Sequence, residues 1–317
     1  MKLFVSTHPF SSTSPKPARL LKYNEFNVRL NPFEHKISTE ELANEIKDAE
    51  VLIAGTEKIT EKVLRKAPNL KLIARVGIGL DGIDFDLCRQ YGIRVAYTPD
   101  APTLAVAELC LAMILDLARQ ITIADRNIRQ GVWTRHMGTL LNGKTVGIFG
   151  MGRIGKSLIH LLSSFNVKFL VHDINPDIAL GRLYQIKFVT KIDVLKYSDI
   201  LSINIPLKSD TVDYITSKEL DLMQKHALLI NTARGGIINE QDLYEALKSG
   251  KINSAAIDVF EEEPYRGNLC KLNNCLLTSH MGASTVDSRT DMETQAVEEA
   301  IRFKNDQSLK NEVFENV

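Results

Sequence analysis

The chain has 317 residues, 44% hydrophobic and 25% charged, and Lys plus Arg balance Asp plus Glu at 39 each. That length accommodates two domains with cores of their own, and the balanced charge gives no overall field to draw nucleic acid or an anionic membrane. Four cysteines, Cys88, Cys110, Cys270 and Cys275, form no C-x-x-C pair and no zinc-like spacing with histidine. No metal is expected, and the thiols read as reduced and structural.

The opening run, Leu3 to Ser6, is too short for a signal peptide and reads as a first strand. From there to about Thr98, strands at Val51 to Ala54, Leu72 to Val76 and Ile93 to Tyr97 alternate with helices near Thr39 to Ile46, Thr60 to Lys66 and Asp84 to Tyr91. Such alternation predicts a small, flavodoxin-like α/β domain built on a parallel sheet. After Pro99 and Pro102, Thr103 can cap one long helix reaching to about Gln130, a candidate linker and interface between domains or subunits. Its most apolar part, Ala105 to Ala118, is interrupted by Glu108 and Asp116 and cannot span a bilayer. A cytoplasmic location is expected.

A second α/β series follows, with strands at Thr145 to Phe149, Lys168 to His172, Lys187 to Val189, Ile200 to Ile205, Ala227 to Asn231, Asn253 to Ile257 and Cys275 to Thr278. This predicts a doubly wound, Rossmann-type parallel sheet of about six or seven strands. The tail from Val286 to Asn305 has helical periodicity with no strand after it, and is expected to fold back onto the first domain. The boundaries expected are therefore 1–98 with 286–317 for a discontinuous first domain and 99–285 for the second.

The second series opens on its most informative stretch. The strand Thr145 to Phe149 runs into Gly150-Met151-Gly152-Arg153-Ile154-Gly155, then a helical pattern from Lys156 to Phe165, a strand, and Asp173. This is the βαβ fingerprint of a dinucleotide site. Gly150 allows the tight turn, Gly152 lets backbone amides approach a pyrophosphate at the positive end of the helix, and Gly155 lets helix and strand pack closely. A carboxylate at Asp173 can accept bonds from an adenosine ribose and would repel a 2′-phosphate, which favours NAD over NADP.

Ligands of open α/β sheets bind beyond the carboxyl ends of the strands. Three such ends carry Arg234, the run Asp258-Val259-Phe260-Glu261-Glu262-Glu263-Pro264, and His280. Reducing a keto acid requires a guanidinium to hold the carboxylate and polarise the carbonyl. It also requires a proton donor that titrates near neutrality, which histidine supplies. A neighbouring glutamate would hold the imidazole.

Taken together, G-M-G-R-I-G with its aspartate, S-D-I-L-S-I-N-I-P-L, L-L-I-N-T-A-R-G-G-I-I-N, A-I-D-V-F-E-E-E-P and S-H-M-G-A-S-T resemble the D-isomer-specific 2-hydroxyacid dehydrogenases, in their phosphoglycerate dehydrogenase-like branch. The resemblance implies that Arg234 binds the substrate carboxylate and carbonyl, that Glu263 pairs with a catalytic His280, and that Asp258 contacts the nicotinamide carboxamide. It makes the amides of Val76 and Gly77 candidates for the substrate carboxylate. Further cofactor contacts are expected at Arg153, Ile154, Pro206, Thr232, Ala233 and Gly282. It also implies an NAD-dependent oxidoreductase acting on a small 2-hydroxy or 2-keto acid, a homodimer through the nucleotide-binding domain and its long helix, and a cleft that closes on substrate.

The chain departs from that family in three places. Tyr97-Thr98-Pro99-Asp100-Ala101-Pro102 stands where an Asn-x-Pro-Gly-x-Asn stretch is usual, Asn204 stands where a histidine is frequent, and Ala54-Gly55-Thr56 replaces the Arg-Ser pair that holds a substrate phosphate in phosphoglycerate dehydrogenases. A non-phosphorylated substrate is therefore expected unless Lys58 or Arg135 compensates. The alternatives are a true D-3-phosphoglycerate dehydrogenase, a formate-oxidising relative, against which Glu263 argues, and an NAD-sensing corepressor-like protein. Since the chain ends at Val317, feedback control through appended domains is not expected.

Overall fold

The structure is a computed structural model that describes residues 1–314; the last residues of the tail assigned to the first domain, 315–317, lie outside them. The chain divides into two compact units, Met1–Pro102 with Ser284–Val317, and Thr103–Ala283.

The first unit begins with β1 (Lys2–Val5), α1 (Lys16–Tyr23), β2 (Asn27–Leu30), α2 (Thr39–Glu45), β3 (Val51–Ala54), α3 (Glu61–Lys66), β4 (Leu72–Arg75), α4 (Phe85–Gln90) and β5 (Arg94–Ala96). The second unit carries α5 (Thr103–Arg119), α6 (Ile121–Arg129), β6 (Thr145–Phe149), α7 (Arg153–Leu162), β7 (Lys168–His172), α8 (Ile178–Leu183), β8 (Lys187–Phe188), α9 (Lys191–Tyr197), β9 (Ile200–Ile203), α10 (Ser217–Leu220), β10 (Leu228–Asn231), α11 (Glu240–Lys248), β11 (Ser254–Ile257) and β12 (Cys275–Leu277). The chain then returns to the first unit as α12 (Val286–Lys304) and β13 (Glu312–Val313).

In the first unit the strand order is β13-β5-β4-β3-β1-β2. All pairs are parallel except β13 against β5. One expectation is corrected here. A strand does follow the tail helix: Glu312 and Val313 pair with Ala96 and Val95, and Arg94 donates to both oxygens of Glu312 at 2.7 Å. A two-residue strand carries too little apolar pattern to register in a sequence. For the same reason β2, whose side chains are mostly exposed, and the polar helix α1 escape the alternation. β3 and β4 are buried on both faces, as strands covered by helices on either side must be.

The second unit holds one fully parallel seven-stranded sheet, ordered β12-β11-β10-β9-β6-β7-β8. Successive residues of a strand face opposite ways, and they enter different cores. Ile148 and Ile230 join Leu158 of α7 and Ile114 of α5, while Phe149 and Leu229 join Val194 of α9 and Leu243 of α11. Both faces are thus covered, the doubly wound arrangement.

The single long helix is also corrected. Gln120 adopts a left-handed conformation, φ 55°, which separates α5 from α6. The Asp116 carboxylate then accepts both the N–H and the hydroxyl of Thr122 at 2.8 Å, so it supports the start of α6. Thr103 is the first residue of α5. α5 serves as a core helix of its unit, burying eight residues that include Cys110 and Met113. α6 buries none. All four cysteines are free; Cys88, Cys110 and Cys275 are buried, whereas Cys270 is exposed and so is not a packing residue. No helix among the described residues is long and apolar enough to cross a membrane.

Candidate active site

The glycine turn joins β6 to α7. Gly150 sits at φ +89°, where a side chain is strained, and a Cβ there would lie 2.6 Å from the Asn204 carbonyl oxygen. A Cβ on Gly155 would stand 2.2 Å from the Gly150 carbonyl oxygen. Those two glycines are required by the fold itself. Gly152 differs: its φ is −71°, it is exposed, and a Cβ would meet no protein atom within 4 Å. No packing requirement of this chain calls for glycine there. The open space lies at the N-terminus of α7, where the backbone amides and the helix dipole favour negative charge, so the turn fits a dinucleotide pyrophosphate.

Asp173 follows β7. Its carboxylate accepts the N–H of Met151, within the glycine turn, and that of Asn175 at 2.6 Å. It therefore braces the turn and stands beside it. Of the other expected cofactor positions, Arg153, Ile154 and Pro206 are exposed or half-buried, Thr232 and Gly282 are buried, and Ala233 is half-buried. Behind them, buried Cys110 of α5 lies 3.3 Å from the Ser202 hydroxyl, and burial pushes its thiol up to about 11. It cannot act as a thiolate near neutral pH.

The three strand-end loops are brought together. Asn231, the last residue of β10, donates its side-chain amide to the Arg234 carbonyl at 2.9 Å and accepts the Ala233 N–H at 3.0 Å, which folds the loop that carries Arg234. The Arg234 guanidinium donates to the Ala233 carbonyl at 2.7 Å. Gly235 then lies against the next loop so closely that a Cβ would stand 2.0 Å from the Phe260 carbonyl carbon.

His280 lies beyond β12, in a left-handed conformation with φ 51°. Its Nδ1 is 2.9 Å from both carboxylate oxygens of Glu263, and both side chains are about two-fifths exposed, 43% and 38%. Glu263 also accepts the Phe260 N–H at 3.2 Å.

Asp258 holds this region. It is 1% exposed and accepts the Thr278 hydroxyl at 2.5 Å, the Met281 N–H at 2.8 Å and the Gly282 N–H at 2.9 Å, while its own carbonyl accepts the His280 N–H at 2.8 Å. Asp258, which the resemblance places at the nicotinamide carboxamide, thus also fastens the loop that carries His280. Asn231 and Thr278, at strand ends within the same motifs, are further residues that order these loops.

In the first unit the amides of Val76 and Gly77, expected at the substrate carboxylate, both have partners within the chain. The Val76 N–H is donated to the Ala54 carbonyl at 2.9 Å and the Gly77 N–H to the Thr98 hydroxyl at 2.7 Å. The first is a strand bond and the second a loop bond. Among the described residues no group of His, Cys, Asp and Glu could hold a metal ion.

Residues 111–282 match the family model of the D-isomer specific 2-hydroxyacid dehydrogenase NAD binding domain. A D-3-phosphoglycerate dehydrogenase of Methanocaldococcus jannaschii is 39% identical over 89% of this chain and 54% of its own length. A glyoxylate reductase of Pyrococcus horikoshii is 35% identical over 89% of this chain and 87% of its own length. The crystal structure of an Aquifex aeolicus D-lactate dehydrogenase complexed with NAD and lactic acid superposes with a TM-score of 0.87 at 27% identity, covering all of both chains, 100% each. The chain belongs to the D-isomer specific 2-hydroxyacid dehydrogenase family, and its second unit contains the NAD binding domain. It spans about half the length of the phosphoglycerate dehydrogenase it matches, 54%.

Proposed function

We propose that this chain catalyses reversible hydride transfer between NAD(H) and C2 of a D-2-hydroxy acid and its 2-keto partner. The observation that carries the reading is the pair of 2.9 Å contacts from His280 Nδ1 to Glu263. A carboxylate there requires a proton on Nδ1, which fixes the ring and leaves Nε2 as the nitrogen that gives or takes a proton. Arg234 supplies a planar double donor for the substrate carboxylate and the carbonyl oxygen that gains charge. When bound, NAD supplies or accepts the hydride. His280 protonates the carbonyl oxygen during reduction and recovers the proton during oxidation. The glyoxylate reductase and D-lactate dehydrogenase relatives act on acids without phosphate by their names, and Ala54 and Gly55 offer no cation, so the favoured substrate is a non-phosphorylated acid.

The same reading assigns the ribose contact to Asp173, a substrate-binding role to the first unit, a cytoplasmic location, and a homodimer. For the last, Trp133 (82% exposed), Met137 (88%) and Leu140 (71%) follow a helix with no buried residue, an apolar stretch suited to a second copy. Following NADH consumption over a panel of 2-keto acids tests the activity: turnover of one or more is expected, and none would reject it.

A further inference from the structure

The strand order of the first unit reverses between β1 and β3: β2 lies on one side, and β4 and β5 on the other. Such a switch point, at the carboxyl ends of the strands, is where open α/β sheets bind ligands. Here two donors converge on it. The Gly55 N–H, just past β3, and the Ser6 hydroxyl, just past β1, both donate to one oxygen of Glu57, the former at 3.0 Å. Glu57 is 5% exposed. Its loop is seated against the one that comes after β4: Ile59 donates to the Gly82 carbonyl at 2.8 Å, and a Cβ on Gly82 would stand 2.7 Å from the Glu57 carbonyl oxygen.

Donors of this kind, an amide and a hydroxyl at a switch point, would otherwise suit a ligand anion. In this chain an internal carboxylate takes them, and it brings negative charge to the edge. Arg289 is already engaged there, by Glu293 at 2.7 Å and Thr7 at 3.0 Å. A second anionic group arriving at this edge would find the Gly55 and Ser6 donors taken and the Glu57 carboxylate in place, an arrangement that rejects wrong ligands.

We propose that Glu57 is a specificity-determining residue, which restricts the substrate to 2-keto acids with no second negative charge beyond C2. This rests on the activity proposed above. Two measurements test it. On the unaltered protein, kcat/KM for 2-oxovalerate is compared with that for 2-oxoglutarate, which differs by one terminal carboxylate; a preference of about tenfold or more for 2-oxovalerate is expected, and equal or better use of 2-oxoglutarate would overturn the proposal. In Glu57→Gln, which keeps an acceptor for both donors and removes the charge, the ratio of kcat/KM for 3-phosphohydroxypyruvate to that for hydroxypyruvate should rise by about tenfold or more, through KM. A ratio unchanged within about twofold would overturn it, because a purely structural role lowers both substrates alike. So would an unaltered protein that prefers the phosphorylated acid and loses that preference in Lys58→Ala. Failure to reduce any 2-keto acid would instead reject the activity itself, and this proposal with it.

Discussion

The carboxylate of Asp258 accepts the backbone N–H of Met281 at 2.8 Å and that of Gly282 at 2.9 Å, so an acid on β11's loop holds the chain just past a histidine that lies beyond β12. A buried acid bonded to several donors can be damaging to remove, because each donor left behind keeps its desolvation cost, about 1–3 kcal/mol. Asp258→Asn turns an N–H toward at least one of them. It should lower the melting temperature and reduce kcat by about tenfold or more through misplacement of His280. Calorimetry and steady-state kinetics check this; unaltered kcat would separate Asp258 from the loop's function.

Gly152 and Gly155 should respond oppositely to alanine. In Gly152→Ala the new methyl meets no protein atom, so stability should hold while the Kd for NADH rises about tenfold or more, a cost of roughly 1.4 kcal/mol in binding. In Gly155→Ala it meets a backbone oxygen at 2.2 Å, and thermal stability should fall. Fluorescence titration with NADH beside thermal melts decides it: equal binding by Gly152→Ala would remove the pyrophosphate from this turn.

Cofactor choice should depend on Asp173. NADPH brings a 2′-phosphate to a carboxylate, so NADH should give the higher kcat/KM, and Asp173→Ala should narrow the gap. The variant should also lose some NADH affinity, since Met151 and Asn175 lose their acceptor. Comparable kcat/KM for both cofactors in the unaltered protein would contradict the assignment.

A stability prediction concerns Glu219, which closes a capping box with Thr216 at the start of α10 and meets Lys191 at 3.2 Å. Burial alone would raise its pKa, but the Thr216 bonds and Lys191 outweigh it and bring the carboxyl from 4.5 to about 2. A depressed folded-state value stabilises above the unfolded value and is lost as pH falls through the folded one. Glu219→Gln should therefore lower stability at neutral pH, and the difference from the unaltered protein should shrink between pH 4.5 and about 2. Denaturant unfolding across that range checks it; a constant difference would show that charge is not involved.

How far the sequence could be read depended on the kind of signal. The six-residue glycine turn and the strands of the second unit were legible because continuous apolar runs such as Leu228–Asn231 fix buried parallel strands, and the residues just beyond such strands lie at the ligand edge. His280 was legible for the same reason, and its pairing with Glu263 came from the resemblance to the family's motifs. The break at Gln120 was not, because it depends on Asp116 reaching Thr122 across the turn, a contact without periodicity. β13 needed the Arg94–Glu312 pair, more than two hundred positions apart by number, and no local pattern reports it. The engagement of the Val76 and Gly77 amides was equally hidden, since a motif names residues and leaves open where their N–H groups point.

The most direct measurement is NADH oxidation with hydroxypyruvate or another accepted 2-keto acid by the unaltered protein and by His280→Ala, at neutral pH, with folding checked by circular dichroism. Loss of the proton donor should lower kcat by about 10²-fold or more, with secondary structure retained, since the His280 side chain is 43% exposed. A variant that keeps kcat within a few-fold of the unaltered protein would contradict the assignment of His280 as the acid and base of this site.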